Sequence, residues 1–240
     1  MISVTDLQKK FGALEVLKKI HVDFTSGNTY ALIGPNGSGK TTLIKSILGM
    51  VVPDNGSIAV NGESIFGHWH YREAIGYMPQ IGRYPDNMTI GQLFSMIMDL
   101  RKESTAIDQE LVSAFGLDKI LDKRMHTLSG GTRQKVSAAL AFMFDPEIMI
   151  LDEPTAGLDP IAVEIIKDKI VREMDKGKLF IITSHIMSDL DELSSHVVYL
   201  DNGKLIYSDT ISALKDITGE IKLGKAIATV MKRTQKGQEV

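Results

Sequence analysis

The feature that most constrains this chain is the segment Gly34–Thr42, which reads Gly-Pro-Asn-Gly-Ser-Gly-Lys-Thr-Thr and fits the pattern G-x-x-x-x-G-K-[ST]. The apolar run Tyr30–Ile33 precedes it, and Lys40–Met50 follows with apolar residues at helical spacing. Glycines let the backbone curl so that successive N–H groups point at phosphate oxygens, and the helix N-terminus adds positive potential. A plain glycine-rich turn before a helix is the alternative. The strand and helix on either side favour a phosphate-binding loop in an α/β domain.

Within this loop the residue types indicate separate roles. We expect Lys40 to reach the β- and γ-phosphates of a nucleotide and the Thr41 hydroxyl to hold Mg²⁺. The full set of expected nucleotide-binding residues in the loop is Gly34, Pro35, Asn36, Gly37, Ser38, Gly39, Lys40, Thr41 and Thr42.

Composition excludes several kinds of chemistry. The 240 residues include no cysteine, so disulfides, thiolate metal sites and cysteine nucleophiles are impossible. The formal net charge of −3 does not favour bulk electrostatic capture of nucleic acid or anionic lipid. The N-terminus lacks the pattern of a secretory signal. The longest apolar run, Ala138–Phe144, has seven residues, against the roughly 20 needed to span a bilayer, so we expect no membrane crossing.

The order of the remaining patterns predicts an α/β fold with a mostly parallel central sheet. Two fully apolar runs, Ile148–Leu151 and Leu179–Ile182, are typical of strands buried on both faces. Thr89 and Gln92 form a T-x-x-Q helix start within a predicted helical lobe at about 87–145. Short strands with turn residues between them predict an antiparallel β part at the N-terminus, and a hairpin is expected near the C-terminus; these runs are Ile2–Val4, Val16–Phe24, Thr29–Ile33, Ser57–Val60, Val197–Leu200 and Leu205–Tyr207.

Three further motifs follow in a fixed order. Leu128–Gly131 reads Leu-Ser-Gly-Gly and opens a predicted helix, Ile148–Pro154 ends a buried strand in Asp-Glu-Pro, and His185 follows another strand. With the phosphate loop, these motifs resemble the ATP-binding-cassette family, and the resemblance runs from Phe11 to about Tyr207. It implies a P-loop NTPase core that spans residues 1–215, followed by a C-terminal tail at 216–240.

The resemblance also implies roles for single residues. Phe11 is similar to the aromatic residue that stacks on adenine, although a core residue at a strand end is the alternative. Asp152 and Gln80 resemble Mg²⁺ partners, and Gln80 also approaches the attacking water. Glu153 resembles the residue that polarises this water, and His185 would contact the γ-phosphate; Glu153, His185 and Gln80 are the expected catalytic residues.

Ser129, Gly130 and Gly131 resemble the motif that completes the nucleotide site of an opposite subunit. A serine hydroxyl, small residues and a helix N-terminus suit a γ-phosphate, while an ordinary helix N-cap is the alternative. The resemblance therefore implies a homodimer or heterodimer of cassettes around two ATP molecules with Mg²⁺. Ala156–Asp159 resembles a loop that crosses this dimer interface. Thr132 stands where glutamine is most frequent, as in a subset of exporter-type cassettes.

The family resemblance implies an ATP-hydrolysing subunit that drives a separate transmembrane permease subunit, in the direction of export. We expect it to lie peripherally on the cytoplasmic side of the cell membrane, with membrane contact through the partner only and no nucleic acid partner. The expected partner-binding region is Ile81–Asp86 with the helix from Thr89, where Met88, Met96 and Met98 either line a groove or fill the core.

Other functions compete with this one. A cassette coupled to a membrane complex for a non-transport mechanical or regulatory role stays open. A P-loop kinase is disfavoured by Ser129–Gly131, and cassettes that work on DNA or ribosomes usually carry two cassettes or a coiled-coil insertion. His68 and His70 are interpreted as solvated loop residues and not as copper ligands. The basic stretch Ile221–Gln238 is expected to be a solvated, partly helical tail, with a lipid or partner contact as the alternative.

Overall fold

A computed structural model describes residues 1–101 and 107–235 of the chain. Strands β1 (Ile2–Phe11), β2 (Leu14–Phe24), β4 (Asn55–Val60) and β5 (Glu63–Ser64) form an antiparallel sheet in the order β2-β1-β4-β5. This confirms the antiparallel N-terminal part. Strand β1 is longer than the predicted Ile2–Val4. Its pairing with β2 is irregular between Val4 and Leu7, so the sequence lacks the regular alternation that would have indicated the rest of the strand.

The second sheet has six strands in the order β10-β9-β3-β8-β7-β6. All neighbours are parallel except the edge strand β10, which pairs antiparallel with β9 and confirms the predicted hairpin. The strands are β3 (Thr29–Ile33), β6 (Ile75–Met78), β7 (Ile148–Asp152), β8 (Leu179–Thr183), β9 (His196–Asp201) and β10 (Lys204–Thr210).

The central sheet is covered on both faces, as its apolar strands require. On β7, Ile150 faces the antiparallel sheet and α1 (Lys40–Ile47), whereas Met149 and Leu151 face the other side. That other side carries the remaining helices of the core: α5 (Pro160–Asp175), α6 (Met187–Leu193), α7 (Ile211–Thr218) and α8 (Leu223–Gln235).

Helices occupy the chain between β6 and β7: α2 (Ile90–Leu100), α3 (Glu110–Ala114) and α4 (Gly130–Phe142). The predicted start of α2 is confirmed, since Thr89 Oγ1 accepts from the Gln92 N–H at 3.1 Å and the Gln92 side chain accepts from the Thr89 N–H at 3.0 Å. Helix α4 packs against β6 so closely that a Cβ on Gly76 would lie 2.3 Å from the Ala141 carbonyl oxygen. Residues 87–145 as a separate lobe stay a prediction.

The prediction of a solvated C-terminal tail is wrong for the described residues. Leu223, Ala226, Ile227 and Val230 of α8 are buried against the core, and the helical part of the prediction is correct. The four buried residues have the i, i+3, i+4, i+7 spacing of an apolar helix face, which the many lysines of this segment make difficult to recognise in the sequence. The boundary at residue 215 stays a prediction, and α7 runs across it. In the described ranges, none of the helices combines the length and apolarity that a membrane span requires.

Candidate nucleotide-binding and hydrolysis site

A cleft of about 260 Å³ lies where β3, β7 and β8 end and α1 begins. Neighbouring parallel strands place their carboxyl ends at one edge of the sheet, which is where α/β sheets bind ligands. The cleft collects most of the expected site residues, together with Leu14, Val16 and Thr183, which the sequence analysis did not single out. Its lining is Leu14, Val16, Asn36, Gly37, Ser38, Gly39, Lys40, Thr41, Thr42, Gln80, Asp152, Glu153, Thr183 and His185.

The phosphate loop has a backbone that needs glycine. Gly37 has φ 82° and Gly39 has φ 108°, both in the left-handed region. A Cβ on Gly39 would lie 2.9 Å from the Val16 carbonyl oxygen, because β2 lies directly behind the loop. Gly39 is also the N-cap residue of α1, so the free N–H groups and positive dipole of that helix end face the cleft.

The Lys40 ammonium lies across this loop. Its Nζ donates to the carbonyl oxygens of Gly34 at 2.6 Å and Pro35 at 3.2 Å. Partial burial lowers the pKa of Lys40, and the carboxylates of Asp152 and Glu153 act in the opposite direction. The Ser38 hydroxyl is buried and finds no hydrogen-bond partner within residues 1–101 and 107–235. An unpaired buried donor and a nearby cation suit a bound phosphate.

A hydroxyl at the end of β8 orients the acidic end of β7. Thr183 Oγ1 donates to Asp152 Oδ1 at 2.5 Å, and the two residues are opposite each other in the parallel ladder. The hydroxyl of Thr41 and the amide of Gln80 line the same cleft. Mg²⁺ is usually bound by one or two carboxylates together with substrate phosphates, and it keeps several waters. One carboxylate beside a phosphate loop therefore fits a metal that arrives with its nucleotide.

Glu153 stands in an unusual backbone conformation, with φ 57°. Its N–H donates to the Thr183 carbonyl oxygen at 3.1 Å, and its Oε2 accepts from the His185 N–H at 3.2 Å. His185 Nε2 lies 3.4 Å from Glu153 Oε1. The predicted catalytic pair is thus brought together at the mouth of the cleft. The local signal for Thr183 is a hydroxyl residue at the end of an apolar strand, two positions before His185.

Some of the expected residues lie outside the lining of the cleft. The described lining does not include Phe11, Gly34, Pro35 or Ser129–Gly131. Phe11 is 51% exposed at the end of β1, where it pairs with Leu14 at the rim of the cleft. Ser129 is exposed at the start of α4 and accepts from the Thr132 N–H at 3.2 Å, which is ordinary N-cap geometry. Gly34 and Pro35 contact the cleft residue Lys40, since their carbonyl oxygens accept from its Nζ.

The fold and the cleft together define a P-loop nucleotide-binding domain. Residues 17–156, more than half of the chain, match the profile of the family described as "ABC transporter". The Nod factor export ATP-binding protein I of Ralstonia nicotianae is 32% identical over 211 residues, which are 86% of this chain and 66% of that protein. An uncharacterized ABC transporter ATP-binding protein of Bacillus subtilis, YybJ, is 31% identical over 90% of this chain and 100% of its own length.

Solved structures agree with this assignment. A structure described as the ATP-binding subunit of an ABC transporter superposes with a TM-score of 0.90, at 27% identity, over 96% of this chain and 99% of the other. A dimeric post-hydrolysis state of the cassette MJ0796 with ADP and Pi shares the fold, with a TM-score of 0.77 at 21% identity over 88% and 98% of the two chains. The chain belongs to the ABC transporter family. Within this family it is an ATP-binding subunit, which is an ATPase. It spans about two thirds of the length of the Ralstonia relative.

Proposed function

We propose that this subunit closes with a second cassette around two ATP molecules, hydrolyses them and so drives a separate transmembrane partner in the direction of export. The observation that carries the proposal is the Glu153–His185 pair, held in one cleft with the phosphate loop. The export direction is supported by the name of the Ralstonia relative. A peripheral position on the cytoplasmic side of the membrane follows from the need to meet such a partner.

In the proposed reaction, the loop N–H groups, Ser38 and Lys40 bind the phosphates, and Phe11 stacks on the adenine from the rim. Glu153 accepts a hydrogen bond from the attacking water and fixes its direction, while His185 holds Glu153 and contacts the γ-phosphate. Thr41, Asp152 and Gln80 would hold Mg²⁺, which would supply positive charge for the phosphate oxygens when bound. A loose phosphoryl-transfer transition state depends mainly on positioning and charge stabilisation, so a fixed carboxylate is sufficient.

In the proposed pair, the second cassette contributes its Ser129–Gly131 segment to the nucleotide site. These residues are solvent-accessible at the N-terminus of α4, outside the cleft of their own chain, and helix N-termini bind anions. In a two-fold pair, each copy would offer them to the γ-phosphate in the other copy's cleft. Moving such a pair from 1% to 99% closed needs about 5.5 kcal/mol of differential binding, which the two bridging γ-phosphates would have to supply. Loss of the bridge after hydrolysis opens the pair.

A groove of about 710 Å³ supports the proposal that this subunit binds a transmembrane partner. It lies between β6 and helices α2 and α4, and its walls include Tyr77, Tyr84, Ile97, Leu140 and Phe144. An apolar groove of this kind suits an amphipathic helix. Tyr84 falls within the predicted partner-binding region, and its hydroxyl lies 3.0 Å from Ser137 Oγ on α4.

The three methionines near the groove differ in position. Met88 and Met96 line a separate shallow hollow beside α2. Met96 and Met98 also pack against the core, so core filling describes part of their role.

The experiment that tests the proposal mixes two inactive variants, Lys40→Ala and Ser129→Arg, with different affinity tags. If Ser129 acts across the interface, one site of each mixed dimer keeps an intact Lys40 and an intact Ser129, and ATPase activity partly returns. If both residues serve the same chain, every site stays defective. Recovery of tagged mixed dimers without any return of activity would contradict the proposal, and reconstitution with the co-purified membrane protein separates transport from a non-transport role.

A further inference from the structure

A hydrogen bond joins α4 to the backbone of Glu153 in the same chain. Gln134 Nε2 donates to the Glu153 carbonyl oxygen at 3.2 Å. Gln134 is 6% exposed and Glu153 is 9% exposed, so the bond is shielded from water. Gln134 lies on α4, one turn beyond Ser129–Gly131. Buried amides are expensive to leave unpaired, so this bond fixes the amide direction.

The backbone at Glu153 needs such support. A non-glycine residue in the left-handed region costs about 1 kcal/mol or more and persists only where its surroundings hold it. The Glu153 N–H is held by the Thr183 carbonyl oxygen at 3.1 Å, and its own carbonyl accepts from the Ala156 N–H at 3.1 Å. Gln134 donates to the second lone pair of that carbonyl. The peptide plane after Glu153, and with it the direction of the carboxylate, is therefore set partly by α4.

Helix α4 is seated on this segment at two further points. A Cβ on Gly131 would lie 2.8 Å from the Gly157 carbonyl oxygen, so the helix and the segment after Glu153 touch backbone to backbone. Lys135 Nζ lies 2.6 Å from Asp159 Oδ2. The pKa of Asp159 is lowered, first by this hydrogen bond and then by the Ala162 N–H. The contact from Gln134 is thus the buried centre of a continuous helix-to-loop interface.

We propose that Gln134 is a positioning residue for hydrolysis: its amide holds the Glu153 backbone, so that the carboxylate is aligned only when α4 is seated. This inference rests on the proposed function, because α4 also carries the Ser129 that a second subunit's ATP would contact. ATP bound in one cleft would then act, through α4, on the Glu153 of the other cleft. Gln134 is not among the described residues that line the cleft, so it would act through Glu153.

The first test is Gln134→Met, which keeps the side-chain length and removes the donor. We expect kcat for ATP to fall about tenfold, as displacement of catalytic groups predicts, with the ATP Kd changed less than about twofold. Gln109→Met is the matched control, since Gln109 is exposed at the N-terminus of α3 and is not among the residues that line the cleft. If Gln134→Met does not fold, Gln134→Leu is a second variant, since it also places an apolar side chain there and lacks the donor.

A double variant decides whether Gln134 acts through Glu153. In a Glu153→Gln background, under single-turnover conditions with excess protein, Gln134→Met should lower the residual rate by less than about twofold. An equal tenfold loss in both backgrounds, or an unchanged kcat in the single variant, would overturn the inference. A wild-type chain without any Lys40-dependent turnover would instead refute the proposed function, so the two failures are distinguishable.

Discussion

His185 holds both carboxylate oxygens of Glu153: its N–H donates to Oε2 at 3.2 Å, and its ring Nε2 lies 3.4 Å from Oε1. The two residues are 32 positions apart and meet because β7 and β8 are parallel neighbours. Contacts at both oxygens restrict rotation of the carboxylate. Glu153 is therefore held in one orientation, as a residue that directs a water requires.

Replacing Glu153 tests this directly. Glu153→Gln keeps the shape but removes the charge that attracts and orients the water, so turnover should fall by about 100-fold or more. ATP affinity should stay near that of wild type, and ATP-bound dimers should accumulate, as measured by light scattering. The matched control is Glu147→Gln, at the exposed opposite end of β7. A Glu153→Gln chain with wild-type turnover would remove Glu153 from the mechanism.

Thr183 should determine the magnesium requirement. Thr183→Val removes the hydroxyl that donates to Asp152 at 2.5 Å while preserving the side-chain shape in the strand. Residues that orient a metal ligand typically change affinity by 10–100-fold, so we expect the Mg²⁺ concentration for half-maximal ATPase activity to rise about tenfold. Thr183→Ser keeps the hydroxyl and should stay close to wild type. Equal Mg²⁺ dependence of the two variants would show that Asp152 does not need this partner.

Phe11 should contribute to binding of the base and not of the phosphates. Base–aromatic stacking is worth about 1–3 kcal/mol, so Phe11→Ala should raise the ATP Kd about tenfold, whereas Phe11→Trp should preserve it. Affinity for inorganic tripolyphosphate should be the same in all three chains. Calorimetric titration measures both ligands. Parallel losses for ATP and tripolyphosphate would mean that Phe11 acts on the loop and does not contact the base.

Acid should destabilise the fold through a buried carboxylate on α5. Glu173 is 1% exposed and is paired with Lys169, Lys176 and Lys178. Burial alone would raise its pKa, but the hydrogen bonds from these lysines outweigh burial and lower the pKa from 4.5 to about 2. Because the folded state favours the ionised form, its stabilisation is complete above about pH 4.5 and is lost as the pH falls toward 2.

This shift corresponds to about 3 kcal/mol at neutral pH. Urea unfolding between pH 7 and pH 2 should show the loss, and Glu173→Gln should remove that part of the pH dependence. The variant should also be about 3 kcal/mol less stable at pH 7, because Lys169 loses a buried partner. Glu164→Gln, exposed on the same helix, is the control. Identical pH profiles of wild type and Glu173→Gln would contradict the assignment.

Much of the fold could be predicted because its signals are local. The apolar run that became β7 and the capping box at Thr89 are readable within a few residues. Strand β6 was missed because Ile75–Met78 is short and contains a glycine, and its place depends on contacts with β7 and α4. The apolar face of α8 was missed for a related reason, since only its packing against the core separates it from a solvated basic helix.

The sequence by itself determined the phosphate loop with its glycines and the acidic residues at the end of β7, because each depends on the backbone preferences of neighbouring residues. Only the tertiary structure decided that Thr183 orients Asp152 in the cleft and that Gln134 supports the backbone of Glu153. These relationships follow from the strand order and from the seating of α4. Both are set by burial and hydrogen bonding between segments far apart in the chain, which no local pattern records.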